Sequence, residues 1–133
     1  LNVCPQAKII HLVRNPLDCF HSMNSRRELD GDPIKIASTW VGYNACIRSF
    51  KKQLGDQYYL LKYEDLKADT EGELKKLCAW LDLPFDSNML KDVKAYHGKN
   101  KGKAAFDSMS EDQQSLFSEI VKAECAHYQY HVA

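Results

Sequence analysis

The run Arg14-Asn15-Pro16, set between an apolar stretch and an amphipathic one, constrains this chain more than any other feature. Lys8–Val13 (KIIHLV) is short and rich in β-formers, as a buried strand is. Asn15 suits a helix N-cap, and Pro16 suits the first helical position, where a missing N–H costs nothing. Asp18, three residues after Asn15, completes a weak capping-box pattern. A strand therefore runs into a helix with an arginine at the junction. Helical spacing then sets Asn15, Asp18 or Cys19, Ser22 and Arg26 along one face. That puts a guanidinium at the strand tip, a hydroxyl two turns in, and a second guanidinium one turn further on. Arginine forks match phosphate because they donate parallel hydrogen bonds to its oxygens. The same residues also fit an ordinary capped strand–helix unit with solvated arginines.

The rest of the chain alternates in the same way. Glu28–Pro33 is a polar turn. Ile34–Leu54 has apolar residues at helical spacing (Ile36/Ala37, Trp40, Tyr43/Asn44, Ile47, Phe50, Leu54) and predicts one long amphipathic helix, ended by Gly55 and Asp56. Tyr58–Tyr63 (YYLLKY) predicts a second strand, and Glu71–Leu81 a helix stopped by Pro84. A short helix is expected over Ser87–Tyr96, a loop over Gly98–Lys103, and a last helix to about Tyr128, capped by Ser110 or Ser108. Strand, helices, strand, helix is the grammar of a parallel sheet flanked by helices, and two strands are too few for a complete one. The expected class is α/β, and the chain reads as half of such a domain.

Charge limits the partners. Lysine plus arginine equals aspartate plus glutamate at 18 each, so nothing favours nucleic acid or an anionic membrane in bulk. The charges are segregated, however: Lys91–Lys103 holds five lysines against one acid, and Asp107–Glu124 five acids against one lysine. A basic loop beside an acidic helix suggests a local anion site, although solvated charge runs are common. The five cysteines are widely spaced and odd in number, which is no disulfide framework and leaves the redox compartment open. Cys125, His127 and His131 have no fourth ligand within reach, so no metal site is expected. His11 suits a core position. No stretch is long and apolar enough to span a bilayer, and no signal peptide is visible. The chain opens at Leu1 almost directly on a strand, as a processed or truncated piece would.

The residues from Ala7 to Arg27 (AKIIHLVRNPLDCFHSMNSRR) resemble the nucleotide 3′-phosphate segment of sulfotransferases that use 3′-phosphoadenosine 5′-phosphosulfate (PAPS). That family carries a strand, an arginine, a turn and a helical serine eight residues after the arginine, as Arg14 and Ser22 stand here. The run HSMNSRR is similar to the Golgi tyrosylprotein sulfotransferases, in which a further arginine four residues after the serine also touches the cofactor; Arg26 matches it. Tyr63-Glu64-Asp65-Leu66 resembles the family's sequence after its next strand, which implies that Tyr63 lies near the nucleotide. Its alternative role is packing under the following helix, with Glu64 and Asp65 as a solvated helix entry. Trp80, Leu81, Leu83 and Pro84 continue the likeness as packing residues. A late basic loop closes the nucleotide site in family members, which implies Lys101 first and Lys103 second for that role. Here a flexible solvated connector is the competing reading.

The resemblance runs from about Ala7 to Lys103. It implies a P-loop-like three-layer fold, PAPS or its product 3′,5′-ADP as cofactor, and sulfuryl transfer to a hydroxyl or amine on a glycan, protein or small molecule. The family's 5′-phosphosulfate loop and catalytic base precede this region, so no catalytic residue is assigned. Residues 1–133 read as the carboxyl-terminal portion of one domain whose amino-terminal half is missing or supplied as another chain, and the chain alone is expected to be inactive. The Golgi lumen and the cytoplasm are the two compartments in view. A non-catalytic interaction domain or pseudoenzyme with the same fold is the competing function, and half of another nucleotide enzyme, such as a kinase, a further one.

Overall fold

A computed structural model of the protein describes residues 4–91, 93 and 101–132. Along the chain run β1 (Ile9–Val13), α1 (Pro16–Ser25), α2 (Pro33–Ser49), α3 (Lys51–Leu54), β2 (Tyr58–Lys62), α4 (Tyr63–Ala68), α5 (Thr70–Leu81), α6 (Gly102–Asp107) and α7 (Glu111–Ala126). Single 3-10 turns cover Glu28–Gly31, Gly55–Gln57 and Ser87–Leu90. The elements fall into two compact units: Leu1–Val13 with Lys51–Lys99, and Arg14–Phe50 with Asn100–Ala133. The class is α/β, as expected.

In the first unit β1 and β2 pair in parallel, with Ile9 opposite Tyr58 and Val13 opposite Lys62. Alternation along β1 buries His11 and Val13 and leaves Ile10 and Leu12 43% and 54% exposed, so one face of the small sheet is apolar and open. His11 is the core residue the sequence suggests: its Nδ1 shares a 2.6 Å hydrogen bond with the Tyr58 hydroxyl. Helix α5 is started by Asp69, whose carboxylate accepts from Gly72 N at 3.0 Å. Trp80 packs against Tyr59, donates to Asp56 O, and lies under the Lys8 ammonium. Leu83 and Pro84 depart from the expected packing role, since both are exposed. Tyr63 also departs from expectation, because it opens α4 instead of closing the strand.

The second unit is helical. Asn15 caps α1 by accepting from Leu17 N at 2.9 Å, and Pro16 takes the first helical position. Asp32 caps α2 in the same way, through Ile34 N and Lys35 N. Ser110 and Gln113 form a full capping box on α7. Phe117 of α7 meets Phe20 of α1 and Phe106 of α6 edge-on, at 5.9 and 6.0 Å between ring centres. Those edge-to-face contacts, with Ile36 and Ala37 of α2 and Val121 of α7, make the dry core.

Three expected elements differ in the structure. The long helix stops at Ser49, where the serine hydroxyl turns back to Cys46 O at 2.7 Å and competes with the helical ladder. Its apolar face also ends early: Tyr43 and Phe50 are 70% and 47% exposed, and the buried stripe is Ile36, Ala37, Trp40 and Asn44. The expected loop over Gly98–Lys103 becomes helical at Gly102, where α6 begins, and residues 98–100 lie outside the described ones. Of the helix expected over Ser87–Tyr96, the described part is the 3-10 turn Ser87–Leu90 with Lys91 and Val93.

Helices α2 and α7 are joined by a charged pair. Arg48 Nε and Nη2 donate to Glu124 Oε1 and Oε2 at 3.0 and 2.8 Å, and the Tyr128 hydroxyl donates to Oε1 at 2.8 Å. Glu124 is one of the acids of the acidic last helix, where solvation is the expectation, yet its side chain is buried. Burial pushes its carboxyl up, but hydrogen bonds from Arg48 and Tyr128 and the Arg48 charge prevail and hold it below the ordinary value. A carboxyl lowered by folding stabilises the fold above its unfolded-state pKa, and that stability is lost as pH falls through the lower folded value. Stability should therefore drop on acidification below about pH 4.5, where unfolded glutamate takes up its proton. Glu124→Ala should cost about 2–3 kcal/mol, near the low end for breaking a buried pair because Arg48 is partly exposed. Urea unfolding against pH checks both, and Glu124→Gln should flatten this part of the acid slope.

Candidate anion-binding site

Arg14 follows the last residue of β1 and precedes the N-cap of α1, so its position is set from both sides by local sequence. Its Nε is buried. Its carbonyl oxygen accepts from Trp40 Nε1 at 3.0 Å and faces the Cys19 thiol at 3.8 Å. Cys19 is thus a packing and hydrogen-bonding residue at this turn. Ser22 lies half-buried two turns into α1, and its carbonyl accepts from the Ser25 hydroxyl.

Asp18 holds the key contact. Instead of serving the capping box expected for it, its buried carboxylate accepts from the backbone N–H of Gly102 at 3.0 Å. Gly102 is pressed against the same turn: a Cβ built on it would stand 2.6 Å from Leu17 C and from Asp18 N. Glycine is needed here for space, because its φ is ordinary and nothing larger fits. This bond sets Lys101 and Lys103, the neighbours of Gly102, beside the first turn of α1. Lys101 is the N-cap of α6. Lys103 is directed along α6 to Asp107 at 3.2 Å, and its side chain is 78% exposed.

Arg26 ends the helix as its C-cap residue, and its Nε pairs with Glu28 Oε1 at 2.9 Å. The next turn holds Arg27, Leu29, Asp30 and Gly31 at positive φ, a tight reversal that returns the chain to α2. Tyr63 belongs to the other unit, at the first position of α4. Arg14, Ser22, Arg26, Lys101 and Lys103 thus share one unit, and the Asp18–Gly102 bond links the segments that carry them.

These groups are of the kinds that pair with oxyanions. The start of α1 contributes the positive end of its dipole, Arg14 a fork and Lys101 a point charge. Asp18 is of the opposing sign, and one of its carboxylate oxygens is engaged by the Gly102 amide. Among the described residues no cluster of His, Cys, Asp or Glu could hold a metal ion. Cys125 is buried, and burial followed by the Glu124 charge pushes its thiol up to about 11, so it stays protonated at neutral pH. Sequence reasoning missed Gly102 as a packing residue and Trp40 as a hydrogen-bond donor. The available signal was general: a buried indole N–H needs an acceptor.

Comparison with known proteins agrees with the family resemblance. A family model described as "Sulfotransferase family" matches residues 1–87. The chain is 30% identical over 131 residues to Sulfotransferase 2A1 of Rattus norvegicus, covering 88% of this chain and 44% of that protein. It is 31% identical over 98 residues to Cytosolic sulfotransferase 15 of Arabidopsis thaliana, covering 61% of this chain and 27% of that protein. It is 33% identical over 96 residues to the omega-hydroxy-beta-dihydromenaquinone-9 sulfotransferase Stf3 of Mycobacterium tuberculosis (strain CDC 1551 / Oshkosh), covering 62% of this chain and 25% of that protein. The chain therefore spans less than half the length of these relatives. No solved structure matches it.

Proposed function

Because this chain belongs to the sulfotransferase family, we propose that it holds the 3′-phosphoadenosine part of PAPS within a longer parent protein that transfers a sulfuryl group to a hydroxyl or amine acceptor. The observation that carries this reading is the Asp18–Gly102 bond, which sets a lysine-bearing segment beside the helix start that follows Arg14. Arg14 and Ser22 bind the 3′-phosphate, Lys101 closes over it, and Lys103 is the second lysine available. Arg26 joins them by exchanging its Glu28 partner for a phosphate oxygen. For Tyr63 the assignment rests on the resemblance of Tyr63-Glu64-Asp65-Leu66 alone.

PAPS supplies the sulfuryl group and leaves as 3′,5′-ADP. The residues of this chain bind and orient the nucleotide, while attack in line on sulfur and stabilisation of the leaving phosphate fall to groups outside it. Positioning supplies much of the rate in such transfers. The 133 residues act as the carboxyl-terminal portion of one P-loop-like three-layer domain, and the open apolar face of β1 at Ile10 and Leu12 is the surface the remaining part covers. The acceptor is a glycan, a protein or a small molecule. The HSMNSRR likeness favours the Golgi lumen, with the cytoplasm as the alternative. No helix among the described residues is long and apolar enough to cross a membrane.

Incubation with radiolabelled PAPS and mixed phenol, peptide and glycan acceptors tests the reading. Label should pass to an acceptor with the parent protein and not with the 133-residue chain alone. A parent that neither transfers label nor binds 3′,5′-ADP would leave a non-catalytic interaction domain as the function. Turnover by the isolated chain would overturn the half-domain assignment.

A further inference from the structure

Arg14 can grip a phosphate with both arms of its fork only if the backbone that launches the side chain is fixed. The residue lies outside the ladder of α1: the first helical bond runs from Cys19 N to Asn15 O at 3.0 Å, one residue later. Its carbonyl is instead engaged from the side, by the indole N–H of Trp40 at 3.0 Å, with the Cys19 thiol at 3.8 Å. Anchoring that oxygen fixes the Arg14–Asn15 peptide plane, hence ψ at Arg14 and the direction in which its side chain leaves. Trp40 is in turn held. It is only 6% exposed, and its ring meets Tyr128 edge-on at 6.3 Å and 82°. The Tyr128 hydroxyl is tied to Glu124, and Glu124 to Arg48. A continuous set of contacts therefore runs from the ion pair joining α2 and α7 to the peptide of Arg14.

We propose that Trp40, braced by Tyr128, Glu124 and Arg48, is a positioning residue that presets Arg14 for the 3′-phosphate. The proposal rests on the reading of Arg14 as the phosphate residue. Trp40 itself touches no nucleotide. Its indole N–H holds the arginine's backbone, and its ring passes the rigidity of the α2–α7 pair to that backbone. A tryptophan serving the core alone would act through apolar volume, which phenylalanine largely replaces.

Trp40→Phe separates the two roles, since it keeps an aromatic ring in the core and removes the N–H. In the parent protein, affinities for 3′,5′-ADP and AMP are measured by calorimetry beside the melting temperature. Trp40→Phe should weaken 3′,5′-ADP about tenfold, the upper range for one hydrogen bond, and leave AMP nearly unchanged. In an Arg14→Ala background the same substitution should have no further effect on 3′,5′-ADP, because the group it positions is gone. If Arg14→Ala abolishes the preference for 3′,5′-ADP while Trp40→Phe leaves that preference intact, the positioning role is overturned and the phosphate reading stands. If Arg14→Ala itself leaves the preference intact, the phosphate reading fails and the proposal with it. Should Trp40→Phe not fold, Tyr128→Phe carries the test: a selective loss of 3′,5′-ADP affinity supports the proposal, and an unchanged preference overturns it.

Discussion

Gly102→Ala is expected to lower the stability of the protein by about 3 kcal/mol or more. The new methyl carbon would fall 2.6 Å from two backbone atoms of α1, and backbone cannot step aside as a flexible side chain can. Overpacking of this kind costs about 1–3 kcal/mol. Pushing α6 away also lengthens the Gly102–Asp18 bond, and leaving a buried carboxylate short of a donor adds about 1–3 kcal/mol. The gain in helix propensity from glycine to alanine, at most about 1 kcal/mol, is too small to offset either. Gly42 is the control, because it lies within α2 with nothing inside 4 Å of an added Cβ. Gly42→Ala should stabilise by up to about 1 kcal/mol. Denaturant melts of the two variants should therefore move in opposite directions, and parallel shifts would refute the close-approach account of Gly102.

Arg14→Ala should weaken 3′,5′-ADP binding to the parent protein by about 2–4 kcal/mol, the scale of losing a charge-assisted, two-pronged contact. AMP, which lacks the 3′-phosphate, should lose far less. Arg14→Lys should recover only part of the loss, since an ammonium restores charge without the fork. Calorimetric titration of both nucleotides gives the comparison. Equal losses for the two would mean that Arg14 acts through the fold and not through the 3′-phosphate.

Local signals were legible in the sequence. Asn15-Pro16 and Ser110 cap α1 and α7 as their residue types require, and the β-rich runs around Ile10 and Tyr59 are the two strands. Signals that depend on distant partners were not. Asp18 matched a local capping pattern, but its partner is 84 residues away, and nothing in the first turn of a helix announces that. Gly102 looked like a source of loop flexibility, whereas its role is to leave room for α1, a property of the neighbour and not of the segment. Periodicity placed Tyr43 and Phe50 with Trp40 because it reports spacing and not which surface finds a cover; both remain exposed. Glu124 looked like one more solvated acid on a polar helix until Arg48 was brought across from α2. Of the candidate residues, Arg14 follows β1 and Ser22 lies within α1, the positions their spacing predicts. Arg26 and Lys103 already have carboxylate partners, in Glu28 and Asp107.

Hydrogen exchange on the parent protein, with 3′,5′-ADP and with AMP at saturating concentration, tests most directly whether the start of α1 and the segment at Lys101 form one phosphate site. With 3′,5′-ADP, residues 14–26 and 101–107 should gain protection together, and with AMP both should gain much less. Equal protection by the two nucleotides, or protection of residues 14–26 with 101–107 unchanged, would contradict it.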